Sequence, residues 1–174
     1  MVKAIVIILG VGLAGVVAYA ATRPDSFRVQ RSIVVDAPPE RVYALIQDFR
    51  RWTEWSPFET LDADLKRVYG GPLAGEGATY AWEGKKAGSG AMTITRAEAP
   101  SKVLIRLEFT KPMKAVNTAE FTLAPEGPGT RVTWAMYGPM TFVSKLFSLV
   151  FSMDGMVGGD FEKGLAKLKA SAEA

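Results

Sequence analysis

Residues 153–168 read Met153-Asp154-Gly155-Met156-Val157-Gly158-Gly159-Asp160-Phe161-Glu162-Lys163-Gly164-Leu165-Ala166-Lys167-Leu168, and within them Met153, Val157, Phe161, Leu165 and Leu168 recur at steps of four, four, four and three. That period predicts a long helix with one apolar stripe. Its other side carries Asp160, Glu162, Lys163, Lys167 and Lys169, so the stripe needs one apolar surface to lie on. Gly158, Gly159 and Gly164 each lower helix propensity by about 1 kcal/mol relative to alanine. Close approach of the helix to its support, or room left for a ligand, is the expected offset.

Upstream the period changes to two. Leu65 to Tyr69, Ala78 to Glu83, Ala91 to Ala97, Val103 to Phe109, Ala115 to Leu123 and Arg131 to Tyr137 read as six strands of a meander. Turn residues separate them: Gly70-Gly71-Pro72, Gly84 to Gly90, Pro100-Ser101, Lys111-Pro112 and Pro125 to Gly129. Val103, Ile105, Leu107 and Phe109 alternate with Leu104, Arg106 and Glu108, and Val132, Trp134 and Met136 alternate with Arg131, Thr133 and Ala135. One face of the sheet is therefore buried and the other wet. A seventh strand, Phe27 to Asp36, starts the domain. Pro38 and Pro39 then open a short helix carrying Val42, Leu45, Ile46 and Phe49, and Arg51 to Phe58 adds a second brief helical turn ended by Pro57.

Before all of this, Lys3 precedes an uncharged apolar run of 18 residues, Ala4 to Ala21. This is near the ~20 residues a helix needs to cross a bilayer, and it predicts a retained single-pass anchor in residues 1–23, with one domain in residues 24–174. The alternative is a secretory signal cleaved before Ala21, which leaves the domain secreted or periplasmic. Lys3 on one side and Arg23, Arg28 and Arg31 on the other fix no orientation. Gly10, Ala14 and Ala18 have the small-residue spacing at which membrane helices pack, but the oligomeric state stays open.

The chain has 21 basic and 18 acidic residues, and the basic ones are scattered rather than striped, so nucleic acid is not an expected partner. No cysteine and no histidine are present. That removes thiolate chemistry, the commonest zinc ligands and the commonest general base near neutral pH, and no metal or cofactor is expected. Catalysis would rest on Asp, Glu, Lys, Tyr or water.

Several stretches carry a family likeness in order: Ile33 to Tyr43 (IVVDAPPERVY), Trp52-x-x-Trp55-Ser56-Pro57, Gly88 to Ile94, Ala99 to Val103, Thr130 to Trp134 and Phe161 to Leu165. Over roughly residues 27 to 172 the chain resembles the START/polyketide-cyclase superfamily, also called SRPBCC or birch-pollen-allergen-like. The resemblance implies an α+β helix-grip fold: a curved seven-stranded antiparallel sheet wrapped around the C-terminal helix, with two short helices after the first strand; the apolar run adds an N-terminal membrane helix ahead of it. Members bind lipids, sterols, quinones or hormones, or cyclise and dehydrate polyketides, so the likeness leaves the chemistry open.

The space between sheet and helix is the expected site. Tyr80, Trp82, Trp134 and Met136 on alternating strand positions, with Phe161 on the helix, are expected to line it. Trp52 and Trp55 cap its mouth or fill the core. Asn117 shares parity with Ala119, Phe121 and Leu123 and either points inward to a ligand or bonds nearby backbone. Glu83 is a weak candidate for a catalytic acid or base; Glu108 and Glu120 fit a solvated face paired with Arg106 or Arg131. Pro139 to Met153, rich in Phe and Leu, is expected to avoid water as a lid, a membrane contact or a buried connecting helix. The leading expectation is a membrane-tethered module that binds an apolar or amphipathic small molecule, such as a lipid, quinone or polyketide-like compound. The alternatives are a cofactor-free cyclase or dehydratase and a protein-interaction domain with a filled cavity.

Overall fold

A computed structural model describes residues 2–174, with the side chains of residues 2–9 and 11 outside the description. The order is α1 (Val2–Ala21), β1 (Ser26–Val35), α2 (Pro39–Ile46), two 3-10 turns (Phe49–Glu54 and Pro57–Thr60), β2 (Lys66–Gly70), β3 (Thr79–Glu83), β4 (Ser89–Glu98), β5 (Lys102–Lys111), β6 (Ala115–Glu126), β7 (Gly129–Pro139), α3 (Phe142–Phe147) and α4 (Met153–Glu173). The seven strands form one open antiparallel sheet in the order β1-β7-β6-β5-β4-β3-β2. Consecutive strands from β2 to β7 pair as hairpins, but β1 pairs with β7. β1 and β2 therefore sit at opposite edges, and the chain between them must cross the sheet. It crosses on the buried face.

That crossing is held by its tryptophans. Trp52 Nε1 donates to the carbonyl of Ile46 at 2.9 Å and Trp55 Nε1 to that of Leu45 at 3.1 Å. Both acceptors belong to the last turn of α2, whose carbonyls have no partner within the helix. The indoles then pack on Phe121 and Trp134 of the sheet. Pro57 opens the second 3-10 turn rather than merely ending the first, because its fixed φ suits a first helical position.

α4 lies along the β1 edge. Arg31 on β1 bonds Asp154 and Glu162, each at 2.7 Å, Lys169 donates to the carbonyl of Val34, and the amide of Asp36 donates to Glu173. Phe161, Leu165 and Leu168 turn inward and are buried, as the stripe predicts. Phe161 stacks on Trp134 at 4.1 Å between ring centroids. The helix reaches that distance through Gly164, where a Cβ would lie 2.7 Å from the Trp134 ring and 3.0 Å from Pro57. Gly159 faces open solvent instead. Gly164→Ala is expected to destabilise by about 1 kcal/mol, since overpacking of about 1–3 kcal/mol outweighs the helix gain of about 1 kcal/mol. Gly159→Ala, with only the gain, is expected to stabilise by up to about 1 kcal/mol. Urea midpoints that move in the same direction for both variants would refute this reading.

Two expectations are corrected. Among the described residues no helix is long and apolar enough to cross a membrane, which overturns the single-pass anchor and the membrane as a partner through it. The end of α1 packs on α3, with Ala20 fully buried. Lys3 and residues 4–9 and 11 of the apolar run lie outside the described side chains.

The segment from Pro139 to Met153 is neither a buried connecting helix nor a lid on the cavity. Phe142, Val143, Phe147, Val150 and Phe151 are exposed, and none of them lines the cavity described below. Its buried member is the charged one: Lys145 reaches Asp25 at 2.5 Å, which turns the apolar side chains of the short α3 outward.

Candidate ligand-binding site

Between the middle of the sheet, the second 3-10 turn and the first half of α4 lies a cavity of about 260 Å³. Its lining is almost wholly apolar. Six of the expected residues meet there: Tyr80 and Trp82 from β3, Trp134 and Met136 from β7, Phe161 from α4, and Trp52 from the first 3-10 turn. Trp55 does not. It is fully buried against Leu45, Phe121 and Trp134 and serves as core. Asn117 is buried as its parity requires, but it lies off the cavity, on an open groove beside Arg106, Tyr137 and Gly138. Gly138 makes room for it, since a Cβ there would fall 2.2 Å from Asn117 Oδ1. Trp134 and Phe161 do interlock, yet the space beside them stays open.

Glu83 is corrected more sharply. It stands exposed at the end of β3, near Lys66 and Lys111, and does not line the cavity. The carboxylate in the wall is Glu59, whose side chain is 4% exposed. Tyr80 donates its phenolic proton to Glu59 Oε1 at 2.6 Å, and Arg67 donates Nε–H to Oε2 at 2.6 Å. The guanidinium is further fixed by donating to the carbonyls of Glu59 and Leu65. Burial, and then the bond to Glu59, push the Tyr80 hydroxyl far above the usual phenol range. It therefore stays a neutral donor at working pH. Glu59 in turn raises Arg67 and keeps it charged.

Ser56 completes the polar lining. It occupies the N-cap position of the second 3-10 turn, where serine usually accepts a backbone N–H, yet its side chain makes no such bond. Among the described residues its Oγ is the one buried side-chain oxygen or nitrogen without a hydrogen-bond partner. Residues three apart eclipse on a 3-10 helix, so Ser56 and Glu59 share a side, and both line the cavity. The signal in the sequence was this spacing of three across Pro57, hidden when Pro57 is read only as a terminator.

The rim is formed by the exposed Leu61 and Lys86. Asp62 holds the rim loop by accepting from the amides of Lys86 at 2.9 Å and Ala87 at 2.8 Å. The Ala87 amide above all keeps its carboxyl below the ordinary value of 3.8. A group with a depressed folded-state pKa adds stability that is complete above its unfolded value and is lost as pH falls through the folded one. Asp62→Ala is therefore expected to lower the urea midpoint at pH 6, with the gap to wild type closing below pH 3.8. A gap that stays constant down to pH 2 would contradict this, on the order-of-magnitude linkage rule.

Deeper in the same wall, Trp82 lies across Gly90, where a Cβ would meet its ring at 2.4 Å, and donates Nε1–H to the carbonyl of Ala87. The rim loop and the aromatic wall are thus one unit. No group of three or more potential metal ligands is present among the described residues.

A family model described as polyketide cyclase/dehydrase and lipid transport matches residues 26–173. Among solved structures, a protein from Chromobacterium violaceum is 19% identical, covering 87% of this chain and 99% of its own, with a TM-score of 0.59. A Staphylococcus aureus protein of unknown function is 14% identical over 85% of this chain and 94% of its own, with a TM-score of 0.62. The di-domain ARO/CYC BexL of the BE-7585A biosynthetic pathway is 14% identical over 90% of this chain and 53% of its own, with a TM-score of 0.61. Identities this low establish a shared fold. No curated protein matches the chain.

Proposed function

The chain belongs to the polyketide cyclase/dehydrase and lipid transport family, and from that premise we propose that it binds a compact, mostly apolar small molecule in the cavity between sheet and C-terminal helix. The observation that carries this reading is a cavity of about 260 Å³ lined by aromatic side chains with very few polar groups. A filled interaction scaffold would close such a hollow, because every void forfeits packing energy. The volume sits near the lower end of ligand pockets, which run from ~300 to ~1,000 Å³. A cavity of ~150 Å³ holds benzene, so this one suits a body of roughly two fused rings better than a long acyl chain. Quinone-like or polyketide-like ring compounds fit that size, and sequestration or delivery is the matching role.

The test is titration of the full chain with 2-methylnaphthalene, followed by quenching of tryptophan fluorescence, since Trp52, Trp82 and Trp134 all line the cavity. Saturation at one site per chain is expected. As a control, Ala119→Leu places a larger side chain into the cavity and should abolish the signal. A response that never saturates would defeat the proposal.

A second reading, cofactor-free cyclisation or dehydration, is favoured by the Tyr80–Glu59 pair in the wall. Turnover of a poly-β-ketone that is lost in Glu59→Gln, with binding retained, would select it over simple carriage.

A further inference from the structure

We infer that the end of the sheet bordering the cavity rim is a docking face for an anionic lipid surface, with exposed apolar side chains that enter the bilayer and cations that meet its headgroups. The strand register defines this end. Glu83 pairs with Ser89, Ser89 with Lys111, Phe109 with Ala115, Thr118 with Tyr137 and Ser26 with Pro139, so these strand ends lie side by side. The rim loop after β3, the turn between β5 and β6, the approach to α3 and the chain leaving α1 therefore emerge together. Leu61 and Lys86, which border the cavity, belong to the same end.

Two properties mark it. The first is apolar exposure: Phe142, Phe147, Val150 and Phe151 around α3, and Met113 in the β5–β6 turn, are between 46% and 77% exposed. α3 is held in place here, since the Met140 amide donates to the carbonyl of Asp25 and Lys145 reaches the Asp25 carboxylate. Large apolar side chains gathered in water mark a contact surface. The second property is charge. Residues 22–28, 61–66, 83–89, 111–116 and 139–151 hold eight of the chain's 21 basic residues but four of its 18 acidic ones, so the positive excess of the chain belongs to this end. Three of those acids are already engaged: Asp25 by Lys145, Glu83 near Lys66 and Lys111, and Asp62 by the rim-loop amides. Arg23, Lys85, Lys86 and Lys114 are exposed and form no ion pair among the described residues.

Charge decides what covers the face. A second copy of the chain would set cation against cation, whereas anionic headgroups meet the lysines and let the Phe and Met side chains settle below them, as in an interfacial contact. Such a contact lies on the bilayer and needs no helix to cross it. The cavity rim then borders the lipid, and an apolar guest passes between the two with little exposure to water. That use rests on the reading of the cavity as a ligand site; the docking does not.

The test is sedimentation of the full-length chain with vesicles of phosphatidylcholine alone and with about 30% phosphatidylserine. Binding to the anionic vesicles is expected to be at least about tenfold tighter, and to weaken about tenfold between about 0.1 M and about 0.5 M salt. Replacing Lys85, Lys86 and Lys114 together by Gln should cost about a hundredfold, at about fivefold per charge. Phe147→Ser with Phe151→Ser should cost about tenfold. Arg41→Gln, on α2 at the other end of the sheet, should stay within about twofold of wild type. The inference is overturned if wild type binds neither vesicle or both equally, or if either set of variants keeps wild-type affinity. It is also overturned if the Phe variants turn a dimer into a monomer while vesicle binding stays, which makes the face a contact between copies. Where a variant does not fold, the lipid and salt dependence of wild type decides alone. Uptake of 2-methylnaphthalene is read in its own titration, so failure of the docking and failure of the cavity reading are told apart.

Discussion

Trp134→Ala is expected to lower the unfolding free energy by about 3–5 kcal/mol, the range for deleting a large buried aromatic. Trp134 is 3% exposed and stands where every layer meets: it packs on Trp52, Trp55 and Phe58 of the crossing segment, Phe121 of the sheet and Phe161 of α4. Removing it takes the support from the crossing segment and from α4 together. It also merges the lost volume with the existing cavity, so collapse around the gap is hindered and the cost falls toward the upper end. Against a total of about 5–15 kcal/mol, this leaves a marginal fold. Urea denaturation gives the measurement. Val68→Ala, at an exposed position, is the control and should stay within about 0.5 kcal/mol of wild type. A loss below about 1 kcal/mol for Trp134→Ala would mean that the layers do not depend on this residue.

The second large effect concerns charge. Glu59→Ala strips the acceptor from both the Tyr80 hydroxyl and the Arg67 Nε–H. Breaking a fully buried pair costs about 3–5 kcal/mol, and the 28% exposure of the Arg67 side chain reduces this to about 2–4 kcal/mol, because the guanidinium can turn toward water. Tyr80→Phe alone should cost about 1 kcal/mol, and the double variant should cost less than the sum of the singles, since both report on one bond. Glu83→Ala should change stability by less than about 0.5 kcal/mol, as its contacts with Lys66 and Lys111 are long and solvated. Equal losses at Glu59 and Glu83 would contradict the assignment of Glu59 as the acid of the cavity wall.

Those two acids mark how far the sequence carries. Glu83 attracts attention because it follows Tyr80 and Trp82 on a readable strand. Glu59 sits in a segment with no clear period, after a proline, where nothing local distinguishes a buried acid from a solvated one. Asn117 shows the same limit from the other side: parity gives its burial correctly, but not that Leu107, its cross-strand neighbour, reaches the cavity while Asn117 does not. The exposed aromatic residues from Phe142 to Phe151 show it again. Composition suggests burial there, yet the buried side chain of the segment is Lys145, paired with the exposed Asp25.

The sequence by itself determined the seven strands, the long C-terminal helix and its stripe, the inward parity of Tyr80, Trp134, Met136 and Phe161, and the family. These are properties of period, and period is set by the local geometry of helix and strand. Only the tertiary structure decided that β1 and β2 lie at opposite edges, that the crossing between them brings Ser56 and Glu59 beneath the sheet, and that space remains beside Trp134. Burial of a charge and the presence of a hollow depend on groups distant along the chain, such as Glu59 and Tyr80, which lie 21 residues apart. No local pattern encodes where such groups meet.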